Sequence, residues 1–95
     1  MVEPPSLTEY RTTDHARHEM ARRNISEAEV AQVLLSPEQT MAVREGRMVH
    51  QSRQRFGDPP RSTLLRVSVD VDRQPAAVVT AYRTSRVAKY WRRDR

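Results

Sequence analysis

Apolar positions along this chain fall first at helical spacing and then at alternate positions, and the period changes at Pro37. Before that proline, Ala16 and Met20 form a thin stripe over residues 14–23, and Thr13 or Asp14 stands where a helix cap is needed. Asn24-Ile25 interrupts the pattern. Ser26-Glu-Ala-Glu29 has the form of a capping box, in which each side chain satisfies a backbone amide near the other. Val30, Val33 and Leu34 then give the buried stripe of a second helix, ending near Leu35 because the residue before a proline disfavours helical geometry. Upstream, residues 7–12 fit a short edge strand and residues 1–6 a flexible arm.

Beyond Pro37 the alternation predicts strands over 39–44, 47–55, 63–72 and 76–83, separated by Glu45-Gly46, Gly57-Asp-Pro-Pro60 and Asp72-Arg-Gln-Pro75. In the strand 47–55, Met48, His50 and Ser52 share one face, and Arg53 and Arg55 the other. In the next, Leu65, Val67, Val69 and Val71 oppose Arg66, Ser68, Asp70 and Asp72. The last strand is apolar on both faces until Thr80 and Tyr82, as a central strand should be. The order (β)ααββββ predicts one α+β domain over 7–91, followed by a basic tail at 92–95. Two helices would cover one face of a curved antiparallel sheet of four or five strands. The open face would carry Arg66, Ser68, Asp70, Thr80 and Tyr82.

Composition narrows the classes. The 95 residues contain no cysteine, which excludes a disulfide framework and thiolate metal sites. Met1-Val-Glu-Pro-Pro lacks the basic and apolar regions of a secretory signal, and no apolar run approaches the roughly 18 residues of a membrane span. A cytoplasmic location and no membrane partner are therefore expected. Charge is uneven: residues 1–45 carry five Arg against eight Asp and Glu, whereas residues 46–95 carry twelve Arg and Lys against four Asp. Sixteen of the seventeen cations are arginine, the side chain suited to bidentate phosphate contacts. The basic half points to a polyanion, most simply nucleic acid, or to an acidic partner protein.

The candidate chemistry concentrates in Val78–Trp91, which holds two of three tyrosines, the only tryptophan and the only lysine. Thr80, Tyr82 and Arg83 at the strand end read as a phosphate-holding set, and Arg86, Lys89, Tyr90 and Trp91 follow as cations beside aromatic faces. Arg66 adds a cation on the neighbouring strand. On the first helix His15, Arg17, His18 and Glu19 include groups three and four residues apart, so His15 is a candidate general base or acid, or a surface histidine paired with Glu19. A metal held by His15, His18 and Glu19 lacks the HExxH spacing, so neither a metal nor another cofactor is expected. His50 is a second titrating candidate or a filler on an exposed strand. Asn24–Ser36 reads like the first half of a helix-turn-helix, but the strand pattern after Pro37 leaves no recognition helix.

The segments Asp14–Met20, Arg23–Leu34, Ser36-Pro-Glu38 and Val78–Trp91 together resemble a bacterial family of small proteins of unknown function. That family is marked by an N-terminal His-Ala-Arg and a C-terminal Val-Thr-Ala-Tyr-Arg-Thr segment. It is similar in turn to the RelE-like ribonuclease toxins of the barnase–EndoU–colicin–RelE superfamily. The resemblance implies a RelE-like fold and metal-independent endoribonuclease activity, with RNA and an antitoxin protein as partners. By position it implies His15, Tyr82 and Arg83 as catalytic, with Arg17, Thr80, Lys89 and Tyr90 contacting RNA. Arg66, Arg86 and Trp91 join the RNA contacts as the cations and aromatic ring around that motif. Glu19 stands where a second cation would be expected, and Asn24 replaces a glycine before Ile25. A non-catalytic RNA- or partner-binding module on the same fold is the alternative reading, and a DNA-binding regulator a third.

Overall fold

The computed structural model describes residues 6–93, so the expected arm, apart from Ser6, and the last two residues of the tail lie outside the described residues. The elements run β1 (Tyr10–Thr12), α1 (Asp14–Arg22), α2 (Glu27–Leu35), β2 (Gln39–Arg44), β3 (Arg47–Phe56), β4 (Arg61–Asp70), β5 (Ala76–Thr84) and α3 (Val87–Tyr90). The protein is therefore α+β, with three helices and one five-stranded sheet.

Local chemistry sets the helix ends. The Thr13 hydroxyl accepts from the Ala16 amide at 3.1 Å and starts α1. Ser26 and Glu29 close the capping box of α2, with amide contacts of 3.0 and 2.9 Å. Between the helices Asn24 takes the left-handed conformation (φ 58°) that asparagine tolerates better than most residues. Gly46 does the same between β2 and β3 (φ 82°), where any Cβ would run into the Asp72 carboxylate.

The strand order is β1-β5-β4-β3-β2, and the sheet is mixed. Strands β2 to β5 are antiparallel neighbours, but β1 runs parallel to β5, with Tyr10 opposite Ala76 and Thr12 opposite Val78. This corrects the all-antiparallel expectation. Hairpin turns dictate antiparallel pairing only between consecutive strands, and β1 meets β5 after the chain has passed through both helices and three strands. β5 is central, between β1 and β4.

Two further departures matter for function. β4 ends at Asp70, and Val71 lies beyond it, exposed, rather than continuing the apolar face. After β5 the chain turns into the short helix α3, which no periodicity announced because four residues are too few to show one.

One buried cluster joins Ala16 and Met20 of α1, Val30, Val33 and Leu34 of α2, and Leu65, Val67, Val69, Val78 and Ala81 of the sheet. A bulge opposite Ser68 and Val69 inserts an extra residue into β5. It allows Val78 and Ala81, three positions apart, to join the same cluster. Met41, Val49, Leu64 and Ala77 are buried outside this cluster, on the other side of the sheet. The face expected to be open is thus partly covered. The segment 87–92 lies across it, where the Gln51 side chain donates to the Tyr90 carbonyl at 3.1 Å and Gln39 accepts from the Arg92 amide at 3.0 Å.

Candidate functional site

Register sorts the candidate residues by face. Arg66 stands opposite Gln51 on β3 and Tyr82 on β5, and Ser68 stands opposite Thr80, so these share the face away from the main core. Arg83 stands opposite Leu65, a member of that core, and so points to the helix side. Thr80, Tyr82 and Arg83 are one set in sequence and two sets in space. Successive strand residues alternate faces, and no bulge intervenes after Thr80.

The centre of the first set is Arg66. The residue is only 7% exposed. Its guanidinium donates to the Tyr82 hydroxyl at 2.8 Å and lies 4.2 Å from the Tyr90 ring centroid and 5.7 Å from that of Tyr82. The sulfur of Met41 is a distant 3.9 Å acceptor. Among the described residues no carboxylate lies within ion-pair distance, and Nε has no partner at all. Buried charges are as a rule paired, because desolvating an ion costs several kcal/mol. Arg66 is stabilised instead by two aromatic faces, with the two rings edge-on to each other at 6.3 Å.

The tail supplies the rest. Lys89 is exposed, with its ammonium 5.2 Å from the Tyr90 ring. Trp91 stacks on the Arg53 guanidinium at 4.1 Å, and Arg53 is itself held by Glu38 through contacts of 2.7 to 3.1 Å. Burial pushes the Tyr82 phenol above its ordinary value, against the pull of Arg66. Tyr90 is held below its ordinary value, first by its hydroxyl contact with Tyr82 and then by Lys89. Gln39, Gln51, Met41 and Arg53 are the residues of this site that sequence reasoning missed. Gln51 interrupts the strand as a neutral amide, which by itself signals no chemistry.

The second set lies on the helix side, where its arginines are engaged in ion pairs and hydrogen bonds. Arg83 donates to Glu29 at 3.0 Å and to Gln54 at 2.7 Å, and stacks on Phe56 at 3.8 Å. Arg17 contacts Glu27 at 3.4 Å. Glu19, placed where a cation was expected, pairs with Arg22 and, at 2.7 Å, with Arg23, and Arg23 also donates to the Ala81 carbonyl at 2.9 Å. His15 and His18 stand exposed on α1, which joins the core on the far side of the sheet from Tyr82 and Tyr90. Among the described residues no three His, Asp or Glu side chains converge as a metal set, so His15, His18 and Glu19 do not form one. Arg86 is exposed, and its amide caps onto the Thr84 hydroxyl at 3.1 Å. β2 follows α2 directly, so no recognition helix stands after it.

His50 is buried, 6% exposed, opposite Val67 on the helix side, with Nδ1 unpartnered. It is not a filler on an exposed strand. Desolvation holds its pKa below the ordinary 6.5. The unfolded chain therefore binds the proton more readily than the folded one. Stability is full above about 6.5 and falls as pH drops toward and through the folded value. Urea midpoints between pH 7.5 and 5 should show this loss, and His50→Gln should flatten it.

Two surface clefts lie among the described residues, the second of them reaching Arg53 of the open-face site. One is bounded by Leu7, Glu9, Val71, Arg73 and Pro75, and another by Gln32, Ser36, Glu38 and Gln54. No helix among the described residues is long and apolar enough to cross a membrane.

Residues 12–85, well over half of the chain, match the model of a family described as Domain of unknown function (DUF4258). Neither the curated proteins nor the solved structures gave a match.

Proposed function

The chain belongs to the DUF4258 family, and from that footing we propose that it is a metal-independent endoribonuclease of RelE-like type, working from the open face of the sheet. The observation that carries this reading is Arg66, a buried guanidinium between two tyrosines with no carboxylate among the described residues. An anion is the partner such a cation lacks, and the planar guanidinium suits two phosphate oxygens at once.

Tyr90 roofs Arg66, so RNA enters as the Tyr90 ring swings aside, its backbone staying on Gln51. The 87–92 segment is held by a few side-chain contacts and one short helix. In the proposed reaction the Tyr90 phenolate takes the proton of a ribose 2′-hydroxyl. The freed oxygen attacks the adjacent phosphorus, the bond from phosphorus to the 5′-oxygen breaks, and Tyr82 supplies the proton that the leaving oxygen needs. Arg66 and Lys89 offset the charge that grows on the phosphorane. The products are a 2′,3′-cyclic phosphate and a 5′-hydroxyl. Such activity in a cytoplasmic protein requires restraint, so the reading includes an antitoxin partner, an acidic protein lying over the basic half of the chain.

One observation favours a second reading, an RNA-binding module without catalysis. None of the three histidines lies on the open face, which leaves proton transfer to phenols whose ordinary pKa is about 10. Purified protein incubated with RNA in EDTA separates the two. The enzyme reading expects cyclic-phosphate ends that fall at least about 100-fold in Tyr90→Phe. Salt-sensitive RNA binding with no such ends supports the module instead.

A further inference from the structure

The open face holds a second unmet requirement, whose interpretation rests on the reading that RNA occupies this site. Arg66 Nε, a donor, and Gln51 Oε1, an acceptor, are both buried without a partner among the described residues. The two residues are direct neighbours in the β3–β4 register, with side chains on the same face. Most of their other polar atoms are engaged. Gln51 Nε2 donates to Gln39 Oε1 at 2.8 Å and to the Tyr90 carbonyl at 3.1 Å. Arg66 donates to the Tyr82 hydroxyl at 2.8 Å.

These contacts fix which way the Gln51 amide points. Both partners of its nitrogen are acceptors, so turning the amide over would set oxygen against oxygen. Gln39 is fixed in turn, because it accepts from the Arg92 amide and donates to the Arg92 carbonyl. The orphaned acceptor and the orphaned donor are therefore a consequence of the surrounding network. Buried polar atoms are almost always paired, and each exception asks for a ligand or water.

One atom meets both needs if it accepts a hydrogen bond from Arg66 Nε and donates one to Gln51 Oε1. A phosphate oxygen only accepts and an ammonium only donates, whereas a hydroxyl does both. The hydroxyl that lies beside each phosphate in RNA, and is missing from DNA, is the ribose 2′-hydroxyl, and the one that fits here belongs to a nucleotide flanking the reacting one, whose own 2′-hydroxyl gives its proton to Tyr90. We propose that Gln51, acting with Arg66 Nε, reads that hydroxyl and makes the site selective for RNA over DNA. Gln51 is on this view a specificity-determining residue, placed by Gln39 and the tail backbone.

The test uses full-length protein carrying Tyr90→Phe, so that cleavage does not consume the probe. Fluorescence anisotropy is measured with four labelled oligonucleotides of one sequence: RNA, DNA, 2′-fluoro and 2′-O-methyl. The RNA should bind about tenfold tighter than the other three, none of which carries a hydroxyl at that position. Adding Gln51→Leu should bring the ratio of RNA to DNA affinity down to about one, whatever change the loss of the Tyr90 contact makes to DNA binding itself. Equal affinity for RNA and DNA, or a preference that survives Gln51→Leu, overturns the proposal and leaves a buried water as the bridge. Absence of binding to all four sinks the parent reading as well, and so separates the two failures. If the leucine variant does not fold, the four-probe comparison decides alone.

Discussion

Arg66→Met is expected to leave a protein at least as stable as its parent while RNA cleavage drops by about 10²–10³-fold, the cost of removing one preorganised charge from a reacting phosphate. The two effects come from one fact. In the folded protein the guanidinium is desolvated and has aromatic faces and a phenol for company, with no carboxylate among the described residues. Replacing a buried charge by an apolar side chain of similar length is often neutral or stabilising. Here the gain is offset in part by the Tyr82 hydroxyl losing its donor, about 1 kcal/mol. The net expectation is between no change and about 2 kcal/mol of added stability. A urea titration reads the first effect and an initial-rate assay in EDTA reads the second. A variant that is clearly destabilised yet cuts RNA at the parent rate would make Arg66 a structural residue and remove the main support for the functional reading. Stability given up at one residue for function is a common pattern at active sites.

The sequence made much of this arrangement legible. Alternation along β3, β4 and β5 placed Arg66, Ser68, Thr80 and Tyr82 on one face, and the register agrees. The capping box and Pro37 bounded α2 correctly because both act on neighbours a few residues away. What escaped depends on long-range pairing. β1 is parallel to β5 for reasons no local pattern contains. The tail's path over Gln39 and Gln51 is set by side-chain amides meeting a backbone some forty to fifty residues distant. His50 alternates with its neighbours just as an exposed strand residue would, and only the helices above the sheet make it buried. Arg83 differs from these cases. Its separation from Tyr82 follows from alternation alone. Grouping Thr80, Tyr82 and Arg83 by closeness in sequence hid a rule already in hand.

That separation gives the sharpest contrast within the molecule. Arg66 and Arg83 sit one strand apart, both largely buried, and chemistry divides them: among the described residues Arg83 has a carboxylate and an amide oxygen, Arg66 neither. Arg83→Ala is therefore expected to behave oppositely to Arg66→Met. The Arg83 side chain is 10% exposed and that of Glu29 33% exposed, so the pair is partly screened. Breaking a fully buried pair costs about 3–5 kcal/mol. The exposed fraction, and the Ser26 amide that Glu29 keeps, bring the expectation to about 2 kcal/mol. Glu29 is held below the usual carboxylate range first by that Ser26 amide and then by Arg83, so its contribution is present at neutral pH and lost as pH falls through the folded value. The stability gap between parent and Arg83→Ala should accordingly narrow in acid. A double-mutant cycle with Glu29→Gln should return a coupling of about 1 kcal/mol. Cleavage per folded molecule should stay within a few-fold of the parent, because Arg83 faces the helices and not the phosphate site. A folded Arg83→Ala protein that no longer cuts RNA would place the reacting phosphate on the helix side of the sheet, beside Arg17 and His15, and would shift the whole site across it.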